Sequence, residues 1–386
     1  MHERWEALRR QYTWRAAVRE SGAGAGRNGD LLAAALFCVL SFWAAGHERA
    51  VLPYIRWEVL AVLLALMLVL GGLRKIGVIE MACGLFLERC QTVRSVAGFF
   101  VGACFFSSMV ITNDAALLLF VPESILLFQK LHQETVLIPL IVLETLAANL
   151  GSTLLPSGNP QNLYLYFHYG MEFSSFLCIT LPITAAAALL LWLGVRRLPA
   201  IPVPVVRGDV HNVNIHSFGM YMCLFFVTGA VILRFLSLPW LAVPILGAAA
   251  WDRHLLRAVD WKLLALFVFL FVGVGNLEHL PQLSRLIRES LSGWELEGGI
   301  LMSQIISNVP AAVLLSGYTE KGALLVAGTD IGGLGTLIAS MASLISFRCY
   351  ITMEGHKTWA YLKSFTIWNA AFLLVLYGGA KALLER

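Results

Sequence analysis

The sequence is poor in charge. Asp, Glu, Lys and Arg make up 13% of its 386 residues, against 58% hydrophobic, whereas a soluble domain carries about 25% charged residues. That shortage excludes an ordinary soluble enzyme or binding module. Short alternating strands are lacking too, since the apolar runs far exceed the roughly 10 residues of a barrel strand. No basic patch stands out: the net charge is +4 and the basic residues are dispersed, so no nucleic-acid partner is expected. The seven cysteines, Cys38, Cys83, Cys90, Cys104, Cys178, Cys223 and Cys349, show no CxxC spacing. They read as free thiols in or beside apolar runs. No apolar core precedes Leu31, so a cleaved secretory signal is not expected. HExxH, nucleophile-elbow, P-loop and Rossmann signatures are all missing. The chain is therefore not expected to be an enzyme or to need a cofactor, and any transport is driven by ion gradients or runs downhill.

What is present is a series of apolar stretches, about half of them shorter than the roughly 20 residues a crossing needs. The short ones cluster in two places. The first holds "ITNDAALLLFVP" (111–122) and "ANLGSTLLPSGNPQNLYLYFHY" (148–169); the second holds "ISNVPAAVLL" (306–315) and "TDIGGLGTLIASMASLISFRCY" (329–350). Interrupted apolar segments at matching places in two halves point to inverted repeats of a transporter. Pairing Thr112-Asn113-Asp114 with Ser307-Asn308-Val309 lets the second elements align without a gap. Asn149 then faces Asp330, Gly151 faces Gly332, Asn159 faces Ser340 and Asn162 faces Ser343.

The expected fold is an all-α polytopic membrane protein of two inverted-topology repeats, each with a re-entrant hairpin and a broken transmembrane helix. Its parts are an N-terminal segment (1–30), a first repeat (31–195), a proline-rich linker (196–215) and a second repeat (216–386). With the N-terminus cytoplasmic, the inside segments hold 20 of the 28 lysines and arginines, which selects that orientation in the cell membrane.

The breaks carry the chemistry. Backbone that leaves a helix inside lipid must be enclosed by protein or line a wet cavity. A break also exposes N–H groups that suit an anion and carbonyls that suit a cation. Asn113, Asn159 and Asn308 are N-cap residue types, and Pro160 and Pro310 suit a first turn. Gly151, Gly158, Gly332, Gly333 and Gly335 permit tight backbone. Hydroxyls come from Thr112, Ser152, Thr153, Ser307, Thr329, Thr336, Ser340 and Ser343. Asp114, Asp330 and Glu144 are acids at depth, where such groups are functional candidates. Glu144 is read equally as a coupling group and as a protonated structural one. Two segments, 74–90 and 281–291, mix charge and apolar residues as helices at a membrane surface do.

"TND…NLGSTLLPSGNPQNLYLY" and "SNVPAAVLL…TDIGGLGTLIASMASL" resemble the ion transporter superfamily over about residues 30–384. That group includes divalent anion/sodium symporters, citrate transporters, arsenite permeases and sodium/proton antiporters. The wording is closest to the citrate-transporter-like permeases. The resemblance implies a homodimer with a moving transport domain, of elevator type. It also implies substrate and sodium contacts at the hairpin tips, where the family has Ser-Asn-Thr. Here the tips read Thr112-Asn113-Asp114 and Ser307-Asn308-Val309, so both asparagines are kept and both third residues differ. The expected function is secondary active transport of a small anion, a di- or tricarboxylate such as citrate, coupled to sodium or protons. The sodium ion is expected near Asn113, Asp114, Asn308 and Asp330. A sodium/proton antiporter and an arsenite or oxyanion permease are the alternatives.

Overall fold

A computed structural model describes residues 23–46, 51–78, 86–204 and 214–384. Among the described residues the chain is helical, and its α-helices of nine or more residues are α1 (Ala23–Ala45), α2 (Trp57–Lys75), α3 (Val93–Ile111), α4 (Asn113–Lys130), α5 (Leu137–Gly151), α6 (Pro160–His168), α7 (Phe173–Arg196) and α8 (Ile215–Ile232). There follow α9 (Ala242–Trp251), α10 (Trp261–Glu278), α11 (Pro281–Leu291), α12 (Glu295–Ile306), α13 (Asn308–Ser316), α14 (Gly322–Gly332), α15 (Met341–Ile351) and α16 (Thr358–Leu384). Seven segments are long and apolar enough to cross a membrane: α2, α3, Glu134–Gly151, α7, α8, α10 and α16.

Local sequence explains several starts. Thr92 and Ser95 cap α3 reciprocally, each side chain accepting from the other's backbone N–H, which satisfies two donors the helix cannot. Asn214 caps α8 and Asp260 caps α10 in the same sense.

The two halves repeat in detail. The hairpin helices α3 and α4 meet between Ile111 and Asn113, and α12 and α13 meet between Ile306 and Asn308. The first broken helix pauses between Gly151 and Pro160, the second between Gly332 and Met341. These are the places the gapless alignment pairs. The fold is thus two inverted-topology repeats, each with a re-entrant hairpin and a broken helix. Before its hairpin the second half places α8, α9, α10 and α11, where the first places α1 and α2 among the described residues.

By contacts the chain divides into two compact units. One comprises Met1–Gly29, Gln91–Val203 and Arg288–Arg386; the other comprises Asp30–Cys90 and Pro204–Ile287. Each unit draws on both halves of the sequence. The first contains both hairpins, both broken helices, α7 and α16. Its broken helix is enclosed: 78% of the Glu134–Gly151 window is buried, against 22% for α16. Interrupted backbone needs that cover, whereas an unbroken helix satisfies itself and can face lipid. In the second unit, Gly72 of α2 lies against the ring of Tyr221 of α8, where a Cβ would overlap it. Lys75 and Asp252 form an ion pair there.

The linker begins in extended form, with Val93 N–H donating to the Ile201 carbonyl and Val203 N–H to that of Gln91, at 2.8 and 3.0 Å. The expected surface helix at 281–291 is α11, with Leu283 and Leu286 exposed. Of the other, 74–90, residues 79–85 lie outside the described residues.

Candidate functional site

Both hairpins turn on a residue with left-handed backbone. Thr112 has φ 74° and ψ 150°; Ser307 has φ 72° and ψ 154°. Only four non-glycine residues have positive φ among those described, and such a conformation strains a side chain with a Cβ. That two of them occupy the paired tips shows that the tips are built alike. It also corrects one expectation. Asn113 and Asn308 are not the caps of α4 and α13 but their first residues, with Thr112 and Ser307 at the cap positions. The sharp turn starts the helix one residue later than the sequence suggests. The Asn113 side chain instead accepts from Asp114 N–H at 2.9 Å and donates to Asn149 Oδ1 at 3.1 Å. At the other tip, Asn308 N–H donates to the Ala339 carbonyl at 3.0 Å.

The broken helices cross-bond reciprocally. Asn149, near the end of α5, receives Ser340 Oγ at 2.9 Å and donates to Ser343 Oγ at 3.4 Å; Ser340 and Ser343 begin α15. Asp330, near the end of α14, receives Asn159 Nδ2 at 3.4 Å and Asn162 Nδ2 at 3.0 Å; Asn159 and Asn162 begin α6. Asn149 pairs with Asp330 in the repeat, and Asn159/Asn162 with Ser340/Ser343. Each half therefore grips the other by the same positions. Only the chemistry differs: the Asn149 side is neutral, while the Asp330 side carries an acid that is 2% exposed. Asp330 lies at the negative end of α14 and faces the positive end of α6. Asn159 caps α6 as expected, accepting from Asn162 N–H at 2.9 Å. Asn162 Oδ1 is buried with no hydrogen-bond partner.

The glycines at the ends of α5 and α14 permit close packing. A Cβ on Gly151 would overlap the Phe105 carbonyl and lie 2.5 Å from Ser108 Oγ; one on Gly332 would lie 2.6 Å from Ser303 Oγ. Ser108 and Ser303 are themselves repeat partners. Gly158 lies against the Ser152 backbone, and of the five candidate glycines only Gly335, φ +102°, adopts left-handed backbone. Gly333 lies beside the Asn308 amide.

The remaining candidates differ in how they join this centre, Ser152 and the Thr153 carbonyl accepting from Asn159 and Asn162. Thr153 Oγ1 bonds Thr184 of α7 at 2.8 Å, and Thr329 bonds back to its own helix. Thr336 is exposed and held by Gln304. Val309 brings no polar group, and Pro160 and Pro310 occupy first turns. Ser152 accepts from Asn159 at 3.4 Å, and Asp114 is half-buried in the first turn of α4. Glu144 is fully buried on α5.

Three residues that tie down the breaks have no individual signal in the sequence. Gln304 Nε2 donates to the Gly332 and Leu334 carbonyls at 2.8 and 2.9 Å. Thr180 donates to the Leu154 carbonyl at 3.1 Å, and Thr184 holds Thr153. The end of α6 is bound to α13 and to the turn after it: Tyr164 Oη meets Ser316 Oγ at 2.8 Å, and Tyr169 donates to the Thr319 carbonyl at 2.9 Å. Among the described residues, no group of three His, Cys, Asp or Glu could hold a metal ion. A cation here would rest on amide, hydroxyl and carbonyl oxygens with one carboxylate.

Known proteins share this organisation. The citrate transporter family model matches residues 28–321. Inner membrane protein YbiR of Escherichia coli is 33% identical over 316 residues, covering 80% of this chain and 84% of that protein. An uncharacterized transporter of Methanocaldococcus jannaschii, MJ0456, is 28% identical over 309 residues, 78% of this chain and 83% of its own. The crystal structure of the Alcanivorax borkumensis YdaH transporter superposes with a TM-score of 0.59 at 14% identity, covering 92% of this chain and 97% of that one. It shares the fold. With breaks, tips and family match in agreement, the chain is a multi-pass membrane transporter and belongs to the citrate transporter family.

Proposed function

We propose that the chain is a secondary active transporter for a small anion, a di- or tricarboxylate such as citrate, moved together with a cation. The observation that carries this reading is the reciprocal grip of the two broken helices, neutral at Asn149 and acidic at Asp330. A cation is attracted by the Asp330 carboxylate, by the carbonyls ending α14 and by the partnerless Asn162 Oδ1. An anion is favoured by the starts of α4, α6, α13 and α15, whose N–H groups and dipoles are positive. No lysine or arginine occupies the four breaks, so the bound cation and the helix ends together offset the anion's charge. Asn113 and Asn308 are the ligand contacts at the tips.

Both hairpins and both broken helices belong to one compact unit. That supports an elevator-type movement in which this unit travels as one piece. A homodimer and a cytoplasmic N-terminus complete the proposal. The acids Asp114, Glu144 and Asp330 favour a second reading, a sodium/proton antiporter with no organic substrate.

A thermal-shift screen separates the readings. The purified protein is heated with citrate, other carboxylates, arsenite or other oxyanions, each with and without sodium. A specific ligand at 100 times its Kd adds about 2.7 kcal/mol. Stabilisation by a carboxylate that depends on a cation supports transport of that anion. Stabilisation by sodium alone, with none from any anion, supports the antiporter.

A further inference from the structure

Glu144 has no counterpart in the repeat. The gapless alignment places Leu325 opposite it, and both are fully buried. The fold thus accepts a leucine at this position, and an acid there calls for an explanation.

Its surroundings fix its chemistry. Ser124 Oγ, on α4, lies 3.0 Å from Glu144 Oε2 and 3.0 Å from the Val121 carbonyl. A serine hydroxyl has one hydrogen and two lone pairs. Both contacts are satisfied at once if Ser124 donates to Val121 and accepts from a protonated Glu144. The other oxygen, Oε1, is buried with no hydrogen-bond partner. An ionised carboxylate would leave that charge unpaired and desolvated, which costs several kcal/mol, whereas a carbonyl oxygen of the neutral acid costs far less. The titratable groups facing it are the Cys349 thiol of α15 and the Tyr361 phenol of α16. α4 presents Ser124, and no cation from α3, α7 or α14 pairs with it among the described residues.

The position is connected to the candidate site. The neighbouring Thr145 Oγ1 lies 2.6 Å from the Ile141 carbonyl and 2.7 Å from Ser346 Oγ, which lies 3.1 Å from the Ser343 carbonyl. Ser343 in turn accepts from Asn149. The Tyr361 phenol faces the Thr145–Ser346 pair.

We propose that Glu144 is a proton-binding site of the transporter, occupied in this conformation and emptied elsewhere in the cycle, distinct from the tips and breaks that hold the ligand. The proton is the coupling cation, or one of them. This inference rests on the transporter reading above.

Infrared spectroscopy of the purified protein tests the proton without any substrate. The difference between wild type and Glu144→Gln should contain a carboxylic-acid carbonyl band at neutral pH, reversibly lost as the pH rises. Absence of that band, or a band that survives at every pH where the protein stays folded, overturns the proposal. Glu144→Asp keeps an acid and should keep a titrating band at a shifted pH, which guards against misfolding of the glutamine variant. Transport is tested in proteoliposomes with citrate as probe. Glu144→Gln should lose accumulation driven by a pH gradient and keep citrate counterflow. Gradient-driven accumulation intact in the variant overturns the proposal, as does loss of counterflow along with it. If wild type moves no citrate at all, citrate is not the substrate, and the infrared titration alone decides this proposal.

Discussion

The paired glycines allow a test of the repeat geometry that needs no substrate. Gly151 and Gly332 are equivalent, yet what a Cβ would strike differs. At Gly332 the nearest atoms belong to the Ser303 side chain, Oγ at 2.6 Å and Cβ at 2.8 Å, with the Gly299 carbonyl next at 3.0 Å. At Gly151 the nearest atom is the backbone carbonyl of Phe105, and Ser108 Oγ comes second. Overpacking of this kind costs roughly 1–3 kcal/mol, partly offset by about 0.8–1.0 kcal/mol of helix propensity gained by alanine. Gly102→Ala, on α3 with nothing within 4 Å, isolates the propensity gain. At roughly 2–4 °C per kcal/mol, Gly151→Ala and Gly332→Ala should melt several degrees below wild type in detergent, and Gly102→Ala at or above it. The double-mutant cycles then diverge. Ser303→Gly should rescue much of Gly332→Ala, giving a coupling of about 0.5–3 kcal/mol. Ser108→Gly should rescue Gly151→Ala far less, because no side-chain change removes a backbone carbonyl. Equal coupling in the two cycles, or three alanine variants that melt alike, would refute the packing argument.

Asn113→Ala and Asn308→Ala should each abolish uptake while expression and melting stay near wild type; near-normal uptake in both would remove the tips from the ligand site. Asp330→Asn should lose dependence on the sodium or proton gradient in proteoliposomes, and unchanged dependence would make the acid structural. A single cysteine in the 196–215 linker of a cysteine-depleted variant should resist an impermeant thiol reagent in intact cells, and labelling from outside would reverse the orientation. The Lys75 hydrogen bond holds the Asp252 carboxyl below its ordinary range, so the stabilisation is present above about pH 4, the unfolded value, and is lost as the pH falls through the lower folded one. Asp252→Asn should therefore flatten the acid limb of a melting-versus-pH curve, and an unchanged limb would show that the pair contributes nothing there.

Much of the fold was legible because interruptions inside apolar runs are conspicuous. Gly158-Asn159-Pro160 and Gly332-Gly333 mark a chain leaving a helix, and their spacing carries the repeat. Less legible was how each break is closed. Gln304 is one polar residue on an apolar helix; composition says that it needs partners but not that they are the carbonyls of Gly332 and Leu334. Thr180 and Thr184 would read the same if they bonded only their own helix. The tips misled for a different reason. Asparagine is a common cap, and nothing in the residue types of Thr112 and Ser307 announces positive φ. Surrounding packing imposes that conformation against local preference, so it cannot be read from a short window. The division into two units is also hidden, because it groups segments far apart in the chain.

On the proposed function, the reciprocal grip explains why one acid at this centre suffices. Two identical sites would bind two identical ligands, but an anion and a cation need sites of opposite character. Inverted repeats supply two equivalent positions, and three residue differences set them apart: asparagine at 149 against aspartate at 330, and the gripping pair Ser340 and Ser343 against Asn159 and Asn162. An amide both donates and accepts, so the Asn149 side tolerates a ligand oxygen. A carboxylate only accepts, so the Asp330 side favours a cation and repels a second anion. On the proposed function, filling the Asp330 side neutralises the buried charge before the anion arrives. The cation and anion then stabilise each other's binding by the same free energy, as linkage requires. An empty Asp330 side leaves an uncompensated charge in the unit that would have to move. Movement of the half-loaded carrier is disfavoured on that ground, and this ties the two fluxes together without any contact that switches between states.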